Sequence, residues 1–190
     1  MKIPLRFQVT EFDCGTVSLL NAFSYLFERE EIPAELVKAI HEYTLDCYDE
    51  FGNIGAGGTS RESIAMLTRW ITNYSTTKDF HVICRRLEGS DITKYELFNC
   101  LDNDGCVFLR CNQENEHYVI ITKRDKKYFY IFDPYYLDKD YYKKDKDIKI
   151  VLNKPFTYNR KVTINRVFST KDDFSIGDVD KRECVLINRR

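Results

Sequence analysis

Near Gly105 the apolar residues of this 190-residue chain change their spacing, and no other feature restricts the fold as much. Upstream, Val17, Leu20, Ala22, Phe23, Leu26 and Phe27 recur at the three-and-four spacing that predicts a helix with a buried face from Cys14 to about Arg29. Pro33 opens a second helix, Ala34 to about Thr44, with Leu36, Val37 and Ile40 as its apolar stripe. Thr59-Ser60-Arg61-Glu62 reads as a capping box for a third helix through Trp70 and Ile71. Tyr95 to Leu101 reads as a fourth, closed by Asp102-Asn103-Asp104-Gly105. Downstream, Cys106–Arg110, His117–Thr122 and Tyr128–Phe132 are short runs of β-formers, the last two joined by a charged hairpin tip at Lys123–Lys127. Val82–Arg85 is a short strand candidate, and Lys161–Val167 and Glu183–Asn188 are expected as closing strands. Helices first and antiparallel strands after them is an α+β arrangement.

The length suits a single domain over residues 1–190, with insertions expected at 49–59 and 136–149. Gly52 to Gly58 holds four glycines in seven positions and is a loop, while Asp138 to Lys149 alternates Asp, Lys and Tyr like a solvated face. Lys+Arg total 29 against 30 Asp+Glu, so no global basic field attracts a phosphate backbone, and nucleic acid is not the expected partner. No stretch approaches the roughly 20 apolar residues of a membrane span, and the N-terminus lacks a secretory pattern, so a cytoplasmic protein is expected. Seven scattered cysteines without an export signal are expected to be reduced thiols.

Of these thiols, Cys14 stands where a nucleophile would gain most. The N-terminus of a helix favours a thiolate through its dipole and unpaired N–H groups, and those groups can also face an oxyanion. Gln8, six residues upstream, carries an amide able to add a second donor. A buried hydrophobe at a helix start is the competing explanation for Cys14 alone. His117 begins one strand and Asp133 ends the next, with their midpoint, residue 125, inside the charged turn. In a hairpin of that register the two face each other, so Asp133 can orient the imidazole towards a thiolate. Of the other histidines, His41 lies beside Glu42 on a helix surface and His81 has no evident carboxylate partner. Cys106, Cys111 and His117 match no common zinc spacing, so no metal and no cofactor is expected. Gly57-Gly58 is read as a loop ahead of a helix cap, bordering the cleft.

Gln8, Asp13-Cys14-Gly15, Glu116-His117-Tyr118-Val119-Ile120 and Phe132-Asp133-Pro134 together resemble the peptidase family that removes double-glycine leaders from bacteriocin precursors, a branch of the papain-like cysteine peptidases. These motifs span about residues 5 to 136. The resemblance implies a papain-like fold, attack by Cys14, proton transfer by His117, orientation by Asp133 and an oxyanion hole completed by Gln8. It implies a peptide or protein substrate, a leader peptide among the candidates. Thr16 departs from the small residue or proline usual after Cys-Gly, the Cys14 to His117 interval is long, and residues 136–183 have no counterpart in it. The reaction expected is hydrolysis of a peptide or isopeptide bond through a Cys14 thioester. An acyltransferase on the same residues, or a catalytically silent peptide-binding module, are the alternatives.

Overall fold

The structure is a computed structural model that describes all residues, 1–190. Its first helix, α1 (Cys14–Leu26), is buried on almost every side rather than on one face. Polar side chains on its buried surface need partners, and Thr16, Ser18 and Asn21 have them. Thr16 Oγ1 donates to Thr44 Oγ1 at 2.7 Å, Ser18 Oγ donates to the Tyr118 carbonyl at 2.8 Å, and the Asn21 amide exchanges two 2.8 Å bonds with the backbone of Arg6. The helix stops at Leu26, three residues short of the sequence expectation, because Phe27 is extended and a 3-10 turn at Arg29–Glu31 leads into Pro33. Next come α2 (Ala34–Tyr43) and α3 (Arg61–Thr77). The cap of α3 is Ser60, which accepts from Ser63 N; Thr59, expected as the capping residue, instead accepts from Leu45 N.

Seven strands form one antiparallel sheet: β1 (Val82–Glu88), β2 (Cys106–Gln113), β3 (Asn115–Arg124), β4 (Tyr128–Phe132), β5 (Ile148–Ile150), β6 (Arg160–Thr163) and β7 (Glu183–Arg189). Their spatial order is β1-β7-β2-β3-β4-β6-β5. The last strand in sequence is thus inserted between β1 and β2, and β1 precedes the fourth helix, α4 (Lys94–Asp102), in the order that the strand candidate at Val82–Arg85 implied. Only the first half of the expected strand 161–167 is extended. Thr163 caps a short helix, α5 (Ile164–Val167), by accepting from Arg166 N.

Alternate residues along β2 and β3 enter two different cores. Cys106, Phe108, Tyr118 and Ile120 pack with α1, α2 and α3, while Val107, Leu109, Cys111, Val119 and Ile121 pack with α4, α5, Phe174 and Ile176. A strand covered on both faces reads as a continuous apolar run, which accounts for Cys106-Val107-Phe108-Leu109. The fold is therefore helices, sheet, then a second layer of helix and C-terminal chain. The same alternation sends Cys106 into the opposite core from Cys111.

Neither expected insertion is unstructured. Around 45–60 the Asp49 carboxylate accepts from Phe51 N, Asn53 N and Asn53 Nδ2, a bridge joins Tyr48 to Ile54, and the Asp46 carboxylate holds Ser60. Residues 138–147 are largely exposed turns, but Ile148 is buried and begins β5, so the solvated tract ends one strand earlier than its composition suggests. No helix is long and apolar enough to cross a membrane.

Candidate active site

Asp13, immediately before α1, turns its carboxylate away from the helix and accepts instead from Val9 N, Thr10 N and Thr10 Oγ1. Helix α1 therefore has no side-chain cap, and the N–H groups of Cys14, Gly15 and Thr16 have no partner in the chain. An uncapped helix start is a place where partial positive charge collects, and Cys14 occupies its first position. Gly15 is required by close approach, since a Cβ there would stand 2.9 Å from Thr59 Oγ1 and 3.4 Å from the Tyr118 ring.

His117 lies near the start of β3, opposite Cys111 on β2. The hairpin register differs by two residues from the symmetric pairing expected from the sequence. Ile120 pairs with Phe132 and Ile121 with Ile131, and a bulge at Thr122 shifts the pairing beyond it, so Asp133 falls past the end of β4 on the diagonal from His117. A two-residue offset keeps both side chains on one face. His117 Nε2 meets Asp133 Oδ1 at 2.8 Å, and His117 and Cys14 line the same cavity. Burial would lower the His117 pKa, but the hydrogen bond and charge of Asp133, followed by those of Cys14, push it up to about 10. Burial likewise opposes the charge on Asp133; the His117 charge and hydrogen bond, the Arg160 charge and a bond from Tyr135 N overcome it and hold the carboxyl below its ordinary range.

Sequence reasoning did not single out Asn159 or Arg160. Asn159 grips the Asp133 peptide from both sides, its Oδ1 accepting from Asp133 N at 2.8 Å and its Nδ2 donating to Asp133 O at 2.7 Å. Arg160, fully buried, places Nη2 3.2 Å from Asp133 Oδ2 and donates to the Tyr135 carbonyl at 2.9 Å. The only sequence signal was an arginine at the head of a strand, which does not disclose a partner 27 residues away. The Pro134 carbonyl accepts from Gln8 N at 2.9 Å, tying the N-terminal segment to the same turn.

Gln8 is placed differently from the other three site candidates. Its Nε2 donates to the Thr10 carbonyl at 2.7 Å, its Oε1 is buried without a partner, and it does not line the cavity in front of Cys14. That cavity, about 450 Å³, is lined by Cys14 and His117 together. One wall is the loop Ala56–Thr59. Gly57 belongs there for steric reasons, because a Cβ would stand 2.7 Å from the Tyr48 carbonyl. The other wall joins Glu114 and Glu116 at the β2–β3 tip to Tyr135, Tyr141 and Asp173, with Glu11 at the rim. Arg110, a cation on that wall, is ion-paired with Glu116. Tyr118 closes the floor, stacked on Phe108 and donating to the fully buried Glu183, which is also paired with Arg86. His41 is exposed, and His81 pairs with Asp79 at 2.9 Å, a surface partner overlooked because it sits only two residues away.

No protein-family model matches this chain, and no curated protein does. Solved structures do. A C39-like peptidase from Bacillus anthracis aligns over 98% of this chain and 95% of its own, at 15% identity and a TM-score of 0.54. The peptidase domain of Streptococcus ComA, a bifunctional ABC transporter in a quorum-sensing pathway, aligns over 98% of both chains at 11% identity and a TM-score of 0.50. Both alignments extend well past residue 136, so the C-terminal strands, left outside the sequence resemblance, belong to the shared architecture. An α+β molecule of helices packed on an antiparallel sheet, this chain has the papain-like fold of the C39-type cysteine peptidases.

Proposed function

We propose that the chain is a thiol-dependent hydrolase that cleaves a peptide or isopeptide bond. The observation that carries this reading is the His117 ring, bound to Asp133 at 2.8 Å, with Cys14 and His117 facing one open cavity. Deprotonated by His117, the Cys14 sulfur attacks the substrate carbonyl carbon. The tetrahedral oxyanion faces the unpartnered N–H groups that begin α1. The imidazolium then gives its proton to the leaving amine as the C–N bond breaks, leaving a thioester on Cys14. Water enters, gives a proton to His117, attacks the thioester carbonyl and releases the carboxylic acid and the thiolate. Asp133 stays ionised and holds the ring in place.

Gln8 joins this scheme as a second oxyanion donor once its amide turns from the Thr10 carbonyl into the cavity, which it does not line in the structure. Replacing it with Ala should cost about 100-fold in kcat, the usual effect of one lost oxyanion donor; an unchanged kcat would assign the whole hole to α1. The proposed substrate is a peptide or protein, and double-glycine leader peptides are the first class to try. Incubation with such peptides and with a diverse peptide mixture, followed by acid quench and mass spectrometry, should show new carboxyl ends and an acyl adduct on Cys14. Binding without products would leave a silent peptide-binding module. Products joined to an added amine would make the protein an acyltransferase.

A further inference from the structure

We propose that Arg160 is a positioning residue of this site: a permanent counter-charge that keeps Asp133 ionised while His117 gains and loses its proton. The inference rests on the thiol-hydrolase reading and adds a member to it. Asp133 and Arg160 both have 0% side-chain exposure. A lone carboxylate in such a place would take up a proton, because a poorly polarisable interior penalises the charged form. His117 compensates that charge only while it is an imidazolium, and each acyl transfer requires it to surrender the proton. A guanidinium does not deprotonate in proteins, so Arg160 holds its charge through the cycle.

The two carboxylate oxygens are divided accordingly. Oδ1 meets His117 Nε2 at 2.8 Å and accepts from Tyr135 N at 2.8 Å, while Oδ2 faces Arg160 Nη2 at 3.2 Å. Neither Oδ2 nor Arg160 Nε has an aligned hydrogen bond, and the two terminal guanidinium nitrogens donate to the Tyr135 and Asn159 carbonyls. The Arg160–Asp133 attraction is therefore one of charge, and not of fork geometry. Thiolate, imidazolium, carboxylate and guanidinium alternate in sign and cancel; without Arg160 the reactive state would carry a net negative charge. No other group facing the site supplies the missing cation. Cys111, opposite His117, is driven up by burial and by the negative charges of Asp133 and Cys14 and stays neutral. Tyr142 is also pushed up by burial and donates to Asp173, and Arg110 is bound to Glu116.

The test is the pH dependence of Cys14 alkylation by iodoacetamide, followed by peptide mass spectrometry on the full chain and its variants. Arg160→Gln should let Asp133 protonate at higher pH, moving the acid limb of the profile up by about one pH unit or more, a tenfold slower rate on that limb. Arg160→Lys, which keeps the charge without the fork, should move it less than half as far. A folded Arg160→Gln with an unmoved limb overturns the proposal, and so does an Arg160→Lys that moves as far as Gln. Should Arg160→Gln not fold, Asp133→Asn is compared with Asp133→Asn/Arg160→Gln, which removes both buried charges together. Identical profiles are expected, since Arg160 acts only through the carboxylate, and a further shift overturns the proposal. If wild-type Cys14 alkylates like an ordinary free thiol at every pH, the hydrolase reading itself fails, and the role of Arg160 with it.

Discussion

The two sides of the candidate site are built by different means. On the thiol side, Cys14 is the first residue of a helix, and its neighbours Thr10 and Asp13 define the uncapped turn within a few positions in sequence. On the carboxylate side, Asp133 lies past the end of its strand, and apart from the Tyr135 N–H the groups that fix it are distant: His117 is 16 residues away, Asn159 is 26, and Arg160 adds a buried charge. One side is held by local backbone geometry, the other by charges and amides that must find each other in the interior. Changes at the thiol should therefore remove chemistry and spare the fold, whereas changes at the carboxylate should damage both.

Cys14→Ala breaks the comparison most sharply if it fails. It should abolish peptide cleavage while leaving the thermal midpoint nearly unchanged, because a small side chain at a helix start is exchanged for one of better helix propensity. Asp133→Ala should reduce cleavage severely and also cost about 3–5 kcal/mol in urea unfolding, the usual penalty for leaving a buried cation without its partner. A cost near that of Cys14→Ala would show the two sides to be alike. Ser18→Ala tests how α1 is seated on β3: loss of the hydroxyl bond to the Tyr118 carbonyl should cost about 1 kcal/mol, and a small loss of kcat with KM unchanged is expected.

The pH dependence of stability sharpens the same contrast. The folded His117 pKa, about 10, is raised above the unfolded value near 6.5, so its contribution is complete below about pH 6.5 and is lost as pH rises towards 10. Asp133 has the opposite sign, its lowered pKa giving a contribution present at neutral pH and lost on acidification. Urea unfolding of wild type and Asp133→Asn between pH 6.5 and 10 should show the alkaline decline in wild type alone. The smallest effect concerns the cavity wall. With Glu11, Glu114 and Asp173 not matched by a free cation, a cationic methanethiosulfonate should label Cys14 a few-fold faster than an anionic one, and salt should erase the difference.

The position of Cys14 was legible in the sequence for the same reason that it is local. A polar lead-in followed by apolar residues at helical spacing places Cys14 at a helix start without any knowledge of tertiary structure. The strands around His117 and Asp133 could be read too, but not their register. The turn lies further along the chain than residue 125, which displaces the pairs beside it by three residues, and the bulge at Thr122 takes one back, leaving two, an even number that preserved the shared face. What stayed hidden depends on chain far away in sequence. A mixed-charge tract concealed β5, β7 inserts between β1 and β2, and Arg160 gives no sign in sequence that it is buried. The oxyanion role expected of Gln8 rested on spacing, which fixes where its backbone runs but not where its amide turns.

The most direct measurement is labelling of all seven cysteines at mildly acidic pH with a peptidyl acyloxymethyl ketone, a reagent that needs both a thiolate and an imidazolium beside it. The other six thiols are all raised by burial, Cys84 to about 12 and Cys100 to about 11 among them. The account predicts a single adduct, on Cys14, that disappears in His117→Ala. An adduct that persists without His117, or that falls on another cysteine, would contradict it.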